Sequence, residues 1–290
     1  MSATTEWSHP LVERLVRRHR GKDPRRIIED FAGQCLDDAE QTSLPVNIDL
    51  IASLRGIRRR VADHPFAGRI YADENGQLIM DLRADDPGVR RRFTCAHEVI
   101  HTAFPGFVRE ARYRVDNAVG VNQNRRDEEE YLCDYGAAAL LMPRQLVADE
   151  YSVAAGLRDV ERLARDADVS LEAAANRLIE LADEPVVLLV FRWGHKPADR
   201  PALRRGEDVP ERLRVRYCVP RNLRLFLPKY KSADEDSVFV RALESPRVQR
   251  AVEPLPGGST LFRVEAKQYP WSEDRRVIAV AVPASSSLDG

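Results

Sequence analysis

The sequence predicts an α+β protein organised in more than one domain, and three observations lead there. Up to about residue 182, apolar positions recur mainly at helical spacing, interrupted between about 57 and 82 by a stretch of period two. The helix expected after that stretch carries His97-Glu98-Val99-Ile100-His101. Beyond Pro185 the pattern changes to short β-like runs divided by proline, glycine and charge. A chain of 290 residues can bury a substantial core and is long enough for two domains.

Residues 11–56 read as helical, with Val46 to Leu54 at helical spacing and Gly56 as a C-terminal stop. Ile70 and Tyr71 precede Asn75-Gly76, after which Leu78, Met80 and Leu82 share one face, so a β-hairpin with a type I′ turn is expected. Ile79 makes that alternation imperfect. The histidine helix is expected over 93–104 and ends at Pro105-Gly106. A polar, irregular stretch runs to about 126, and a further helix spans Asp127 to the residue before Pro143. Segment 158–182 reads as two short helices broken near Asp168-Val169, with Ser170 an N-cap. The β-like runs are Val186–Phe191, Arg212–Val219, Val238–Leu243, Leu261–Ala266 and Val277–Val282, with a boundary near 184.

Hydrophobic residues make up 43% and charged residues 31%, which fits a soluble globular protein and excludes a disordered one. The formal net charge of −1 weighs against a protein built mainly for nucleic acid. Arg58-Arg59-Arg60 and Arg90-Arg91-Arg92 read first as solvated faces, and second as phosphate contacts. No stretch has the length of a membrane-spanning helix, and the N-terminus lacks a secretory core. Cys35, Cys95, Cys133 and Cys218 are widely spaced without a CxxC pair, so reduced thiols in a cytoplasmic protein are expected.

On a helix, residues four apart share a face, so His97 and His101 can point at one metal ion. Glu98 beside them can take a proton from a water that the ion activates. The pattern arises by chance in roughly one such chain in a hundred, and two histidines spaced by accident on an amphipathic helix remain the plain alternative. A catalytic zinc needs a third protein ligand. Glu130 and Asp134 are again four apart on one face, suiting a zincin in which the first ligates and the second accepts a hydrogen bond from a ligand histidine. Glu130 also fits a capping box with Asp127. Gly136 tilts the balance towards ligation. A glycine within a helix costs about 1 kcal/mol relative to alanine and usually marks a close approach, here of the histidine helix.

Phe93 to His101, with Glu130-Tyr131-Leu132-Cys133-Asp134 and Ala139-Leu140-Leu141-Met142-Pro143, resembles the ImmA/IrrE metallopeptidases. The resemblance spans about 45–180. It implies His97, His101 and Glu130 as ligands of one zinc ion per chain, Glu98 as general base, and Asp134 in a supporting role. Gly136 departs from it, since relatives commonly have an aromatic residue there, and Cys95 is a minor variation. The implied organisation is an N-terminal helical segment (1–44), a zincin-like metallopeptidase domain (45–157), a helix-turn-helix-like segment (158–183) and a β-rich sensor or recognition domain (184–290). The resemblance implies an endopeptidase acting on a separate helix-turn-helix transcriptional repressor, in a stress-response, mobile-element or defence setting. The alternative is a non-proteolytic, zinc-containing regulator that binds a partner or DNA.

Several residues read more plainly. Tyr113, Tyr131 and Tyr135 lie close enough in sequence to stabilise an oxyanion, but nothing selects among them. Trp193, Trp271, Tyr269 and Phe239 read as core aromatics, and His195 as a turn residue. Cys95 and Cys133 could face each other as a redox pair, although buried cysteines are usually inert. The hairpin before the histidine helix offers an edge for an extended peptide.

Overall fold

The computed structural model describes residues 7–107, 127–271 and 274–284. Its elements in order are α1 (Pro10–Arg18), α2 (Pro24–Asp38), α3 (Ile48–Leu54), β1 (Ile57–Ala62), β2 (Gly68–Ala72), β3 (Leu78–Arg83), α4 (Gly88–His101), α5 (Asp127–Leu141), α6 (Arg144–Val147), α7 (Leu157–Asp166), α8 (Leu171–Leu181), β4 (Val186–Gly194), α9 (Arg200–Arg204), β5 (Arg212–Arg221), α10 (Val238–Arg241), β6 (Gln249–Pro254), β7 (Leu261–Trp271) and β8 (Asp274–Pro283). They fall into two compact units, Met1–Val147 with Ala164–Ser170, and Ala148–Leu163 with Leu171–Gly290.

In the first unit a three-stranded sheet of order β1-β3-β2 has β3 parallel to β1 and antiparallel to β2. Asp81, fully buried on the central strand, is held by Arg60 from β1 and Arg69 from β2, each at 2.7 Å. Burial raises the Asp81 carboxyl's pKa, but those two guanidiniums outweigh it and hold the group below the usual carboxylate range.

The hairpin forms where the pattern expects it, but its turn differs from the expected type I′. That turn needs positive φ at both Asn75 and Gly76, and only Gly76 adopts it, at 78°. Asp73 decides the outcome, because its carboxylate accepts from the backbone of Asn75 and Gln77, both at 2.9 Å.

Helix α4 packs against β2 and β3 on one side and α5 on the other. Every residue from Thr94 to His101 is therefore buried. Closeness to α5 depends on Gly136, where a Cβ would stand 2.5 Å from Ile28 Cγ2 and 2.8 Å from Ile100 Cγ2. The approach at Gly136 is thus made by isoleucine side chains of α2 and α4.

The arginine clusters are largely engaged within this unit. Arg59 pairs with Asp49. Arg91 donates to the carbonyls of Ala84 and Asp86, and Arg92 to those of Val46 and Asp168. Arg58, Arg59 and Arg60 stay exposed along β1, as a solvated face, while Arg91 and Arg92 hold loop and helix-end carbonyls.

The second unit is a five-stranded antiparallel sheet of order β5-β4-β8-β7-β6, with α8 against β4 and β5. Phe191 and Phe239 stack in its core with ring centroids 4.6 Å apart. Val238–Leu243, expected as a strand, is instead α10 followed by a 3-10 turn. The Ser237 side chain caps it by accepting from Val240, and Val238, Phe239, Ala242 and Leu243 are buried at helical spacing. Tertiary burial overrides the β-branched composition. Strand β6, unanticipated, alternates half-buried and exposed residues and carries polar side chains that mask its pattern.

His195 accepts the turn role, its Nε2 2.7 Å from the Val209 carbonyl. The Tyr269 hydroxyl accepts a hydrogen bond from the Leu171 backbone at the start of α8, at 2.8 Å. Among the described residues no helix is long and apolar enough to cross a membrane.

Candidate metal centre

The four-residue spacing on α4 brings the His97 and His101 rings together, with Nε2 atoms 3.2 Å apart. Helix α5 supplies the rest. Glu130 approaches from its first turns, one carboxylate oxygen 3.2 Å from His97 Nε2 and the other 3.8 Å from His101 Nε2. Asp134, one turn on, lies 2.8 Å from His97 Nδ1. Glu129 lies 3.0 Å from His101 Nδ1.

Each imidazole is therefore gripped by a carboxylate at its Nδ1. An ionised carboxylate only accepts, so these contacts favour the tautomer with the proton on Nδ1 and a lone pair on Nε2. Two nitrogen lone pairs and a carboxylate oxygen consequently face one another. That arrangement is unfavourable unless a positive charge lies between them. Bonds of about 2.0–2.2 Å from a tetrahedral zinc would set its ligand atoms roughly 3.3–3.6 Å apart. The observed separations of 3.2, 3.2 and 3.8 Å surround that range, so the donor set fits the ion.

A second trio is also close. The ligand atoms of His97, His101 and Cys133 lie within 4.8 Å of one another. Cys133 Sγ, however, is 3.4 Å from His101 Nδ1, on the side of the ring that Glu129 holds. The Nε2 side that both rings share faces Glu130, whereas the thiol lies on the Nδ1 side of His101.

Glu98 is buried beside the imidazoles, 1% exposed, against the first residue of β2. A Cβ on Gly68 would sit 2.4 Å from Thr94 Cγ2 and 3.2 Å from Glu98 Oε1. The edge strand therefore lies directly on the carboxylate. Glu130 and Asp134 open the other way, with side chains 49% and 54% exposed, so the centre has one wall of buried histidines and one solvent-facing wall.

His97, His101, Glu130 and Asp134 thus come together as the spacing implied. Sequence reasoning missed Glu129. The acidic run Glu128-Glu129-Glu130 was the available signal, but only the rotation of α5 against α4 shows which member meets His101. The side chain of Asp127, and with it the capping-box alternative, lies outside the described residues, as does Tyr113. Tyr135 donates to Glu29 at 2.5 Å and so faces α2. Burial pushes the Cys95 thiol up to about 12, as befits a buried thiol of low reactivity.

A helix-borne histidine pair backed by carboxylates from a neighbouring helix defines a candidate metal centre. Comparison with known proteins narrows the class. Residues 56–179 match the family model described as peptidase M78, IrrE N-terminal-like domain. Over 124 residues it is 38% identical to the radiation response metalloprotease IrrE of Deinococcus deserti, covering 42% of this chain and 40% of that relative. The matched part thus spans less than half the length of the curated relative. A Mycobacterium tuberculosis transcriptional regulator shares the fold, with a TM-score of 0.58 at 13% identity over 94% of this chain and 79% of that one.

Proposed function

We propose that this chain is a zinc-dependent endopeptidase that hydrolyses a peptide bond in one specific protein, a separate helix-turn-helix transcriptional repressor. The setting is a stress-response, mobile-element or defence switch. The observation that carries the hydrolase reading is the convergence of His97 Nε2, His101 Nε2 and the Glu130 carboxylate, which supports a gluzincin-like ligand set. The family match and the similarity to a radiation response metalloprotease support the peptidase class. The repressor as substrate rests on the family resemblance.

An ion held by the three ligands supplies Lewis acidity, lowering the pKa of water and polarising a carbonyl. The chain's own residues do the rest. Glu98 takes a proton from the attacking water on its carboxylate oxygen and returns it to the leaving amine nitrogen. Asp134 and Glu129 keep the protons at Nδ1 of His97 and His101, so both Nε2 atoms remain ligands. Strand β2 stands at the sheet edge with Gly68 against Glu98, so an extended peptide pairing with it passes the general base.

Co-expression with a helix-turn-helix protein encoded nearby tests the reading. Cleavage by the wild type and none by Glu98→Gln, with zinc retained in both, is expected. Equal cleavage by both would remove Glu98 from the chemistry.

One observation favours a second reading. The closeness of Cys133 to His101 would suit a structural zinc in a non-proteolytic regulator. In that case Cys133→Ser would release zinc, whereas the peptidase reading expects it to stay bound.

A further inference from the structure

Residues 7–9 lie well before the segment that matches the family model, yet they reach the metal centre. The Glu128 carboxylate, in the first turn of α5, accepts hydrogen bonds from the Ser8 backbone at 2.8 Å, the Ser8 hydroxyl at 2.9 Å and the His9 backbone at 2.8 Å. The Trp7 ring stands 6.3 Å from that of Tyr131, the residue after Glu130. His9 Nδ1 lies 3.8 Å from Glu129 Oε2, while Glu129 Oε1 is 3.0 Å from His101 Nδ1. The side chains of His9, Glu129 and His101 are 17%, 6% and 3% exposed, so the line from N-terminus to ligand is nearly closed to solvent.

We infer that the segment Trp7–His9 is a positioning element of the metal centre, in which His9 acts through the Glu129 carboxylate to fix the orientation of His101. The inference rests on the ligand set proposed above. A carboxylate with one oxygen on a ligand imidazole can still swing about its terminal bond, and the buried His9 ring packed 3.8 Å from the second oxygen, beyond hydrogen-bond length, narrows that freedom. The three bonds to Glu128 hold the backbone that carries His9, so the element is anchored independently of the contact it delivers. Its effect is on how well the histidines are arranged before the ion arrives, which lowers the reorganisation that binding requires.

The test measures zinc affinity of the full chain by competition with a chromophoric chelator, alongside thermal unfolding of the metal-free protein. Glu129→Gln should weaken binding roughly 10–100-fold, the range for residues that orient a metal ligand. His9→Ala, one contact further out, should weaken it about three- to ten-fold with little change in metal-free melting. His9→Asn, which keeps an amide near the position of Nδ1, should restore most of the loss.

In the Glu129→Gln background the His9→Ala change should have no further effect on zinc, because the contact it removes is already altered. Wild-type affinity in His9→Ala overturns the inference, as does a loss that merely tracks metal-free stability and is not restored by His9→Asn. If the full chain takes up no zinc, the ligand set itself fails and the inference falls with it. Tight zinc binding left untouched by His9→Ala removes the inference alone.

Discussion

Two imidazole nitrogens held 3.2 Å apart with a carboxylate oxygen beside them amount to a site whose electrostatics are completed by a cation. At this scale the residues separate by duty. On the proposed ligand set, Glu130→Ala should abolish stoichiometric zinc in dialysed protein, whereas Asp127→Ala should leave it bound. Equal loss from both would restore the capping-box account of Glu130. The histidine pair and Glu130 were legible in the sequence because helical spacing alone puts such residues on one face. Glu129 was not, because its role depends on the azimuth of α5 relative to His101, and neighbouring glutamates are chemically identical in a sequence.

Among elements, the contact between α4 and α5 is the one the site depends on. Gly136→Ala would gain about 1 kcal/mol in helix propensity. The new methyl would meet Ile28 and Ile100 below van der Waals distance, and overpacking of this kind costs about 1–3 kcal/mol. A net loss of stability with weaker zinc uptake is expected, read by denaturant unfolding with and without the metal. A stabilised variant that binds zinc normally would show that the helices separate freely.

The three-stranded sheet has its own test in Asp81. Its pKa is depressed in the folded state, so its stabilisation is present above the unfolded carboxyl value near 4 and is lost as pH falls through the lower folded value. Asp81→Asn should therefore be less stable than wild type near neutrality, and the gap should close below about pH 4. A gap independent of pH would mean that the Arg60 and Arg69 contacts contribute no charge-dependent stability. At this scale α5 follows the expected pattern and α4 does so in type, though it runs Gly88–His101 rather than 93–104, while Val238–Leu243 does not. Alternating and helical burial of a short apolar run look alike until the surrounding core is known.

For the whole molecule, metal binding should act on one unit. Free zinc at a hundred times its dissociation constant stabilises the binding-competent state by about 2.7 kcal/mol. Amide hydrogen exchange should slow in α4 and α5 when zinc is added, and stay unchanged in β4 to β8. Equal protection of both units would count against a centre confined to the first.

By itself the sequence determined the α+β class, the helix carrying His97 and His101, the pairing of Glu130 with Asp134 and the family resemblance. All of these follow from local spacing and residue chemistry. The tertiary structure alone decided that Glu129 grips His101, that Gly68 lays the sheet edge on Glu98, and that residues 7–9 reach the centre. Each of those is a contact across the fold, set by how helices rotate and pack rather than by neighbours in the chain. The physical reason is that periodicity fixes which face of an element a residue occupies, and only packing fixes what that face meets.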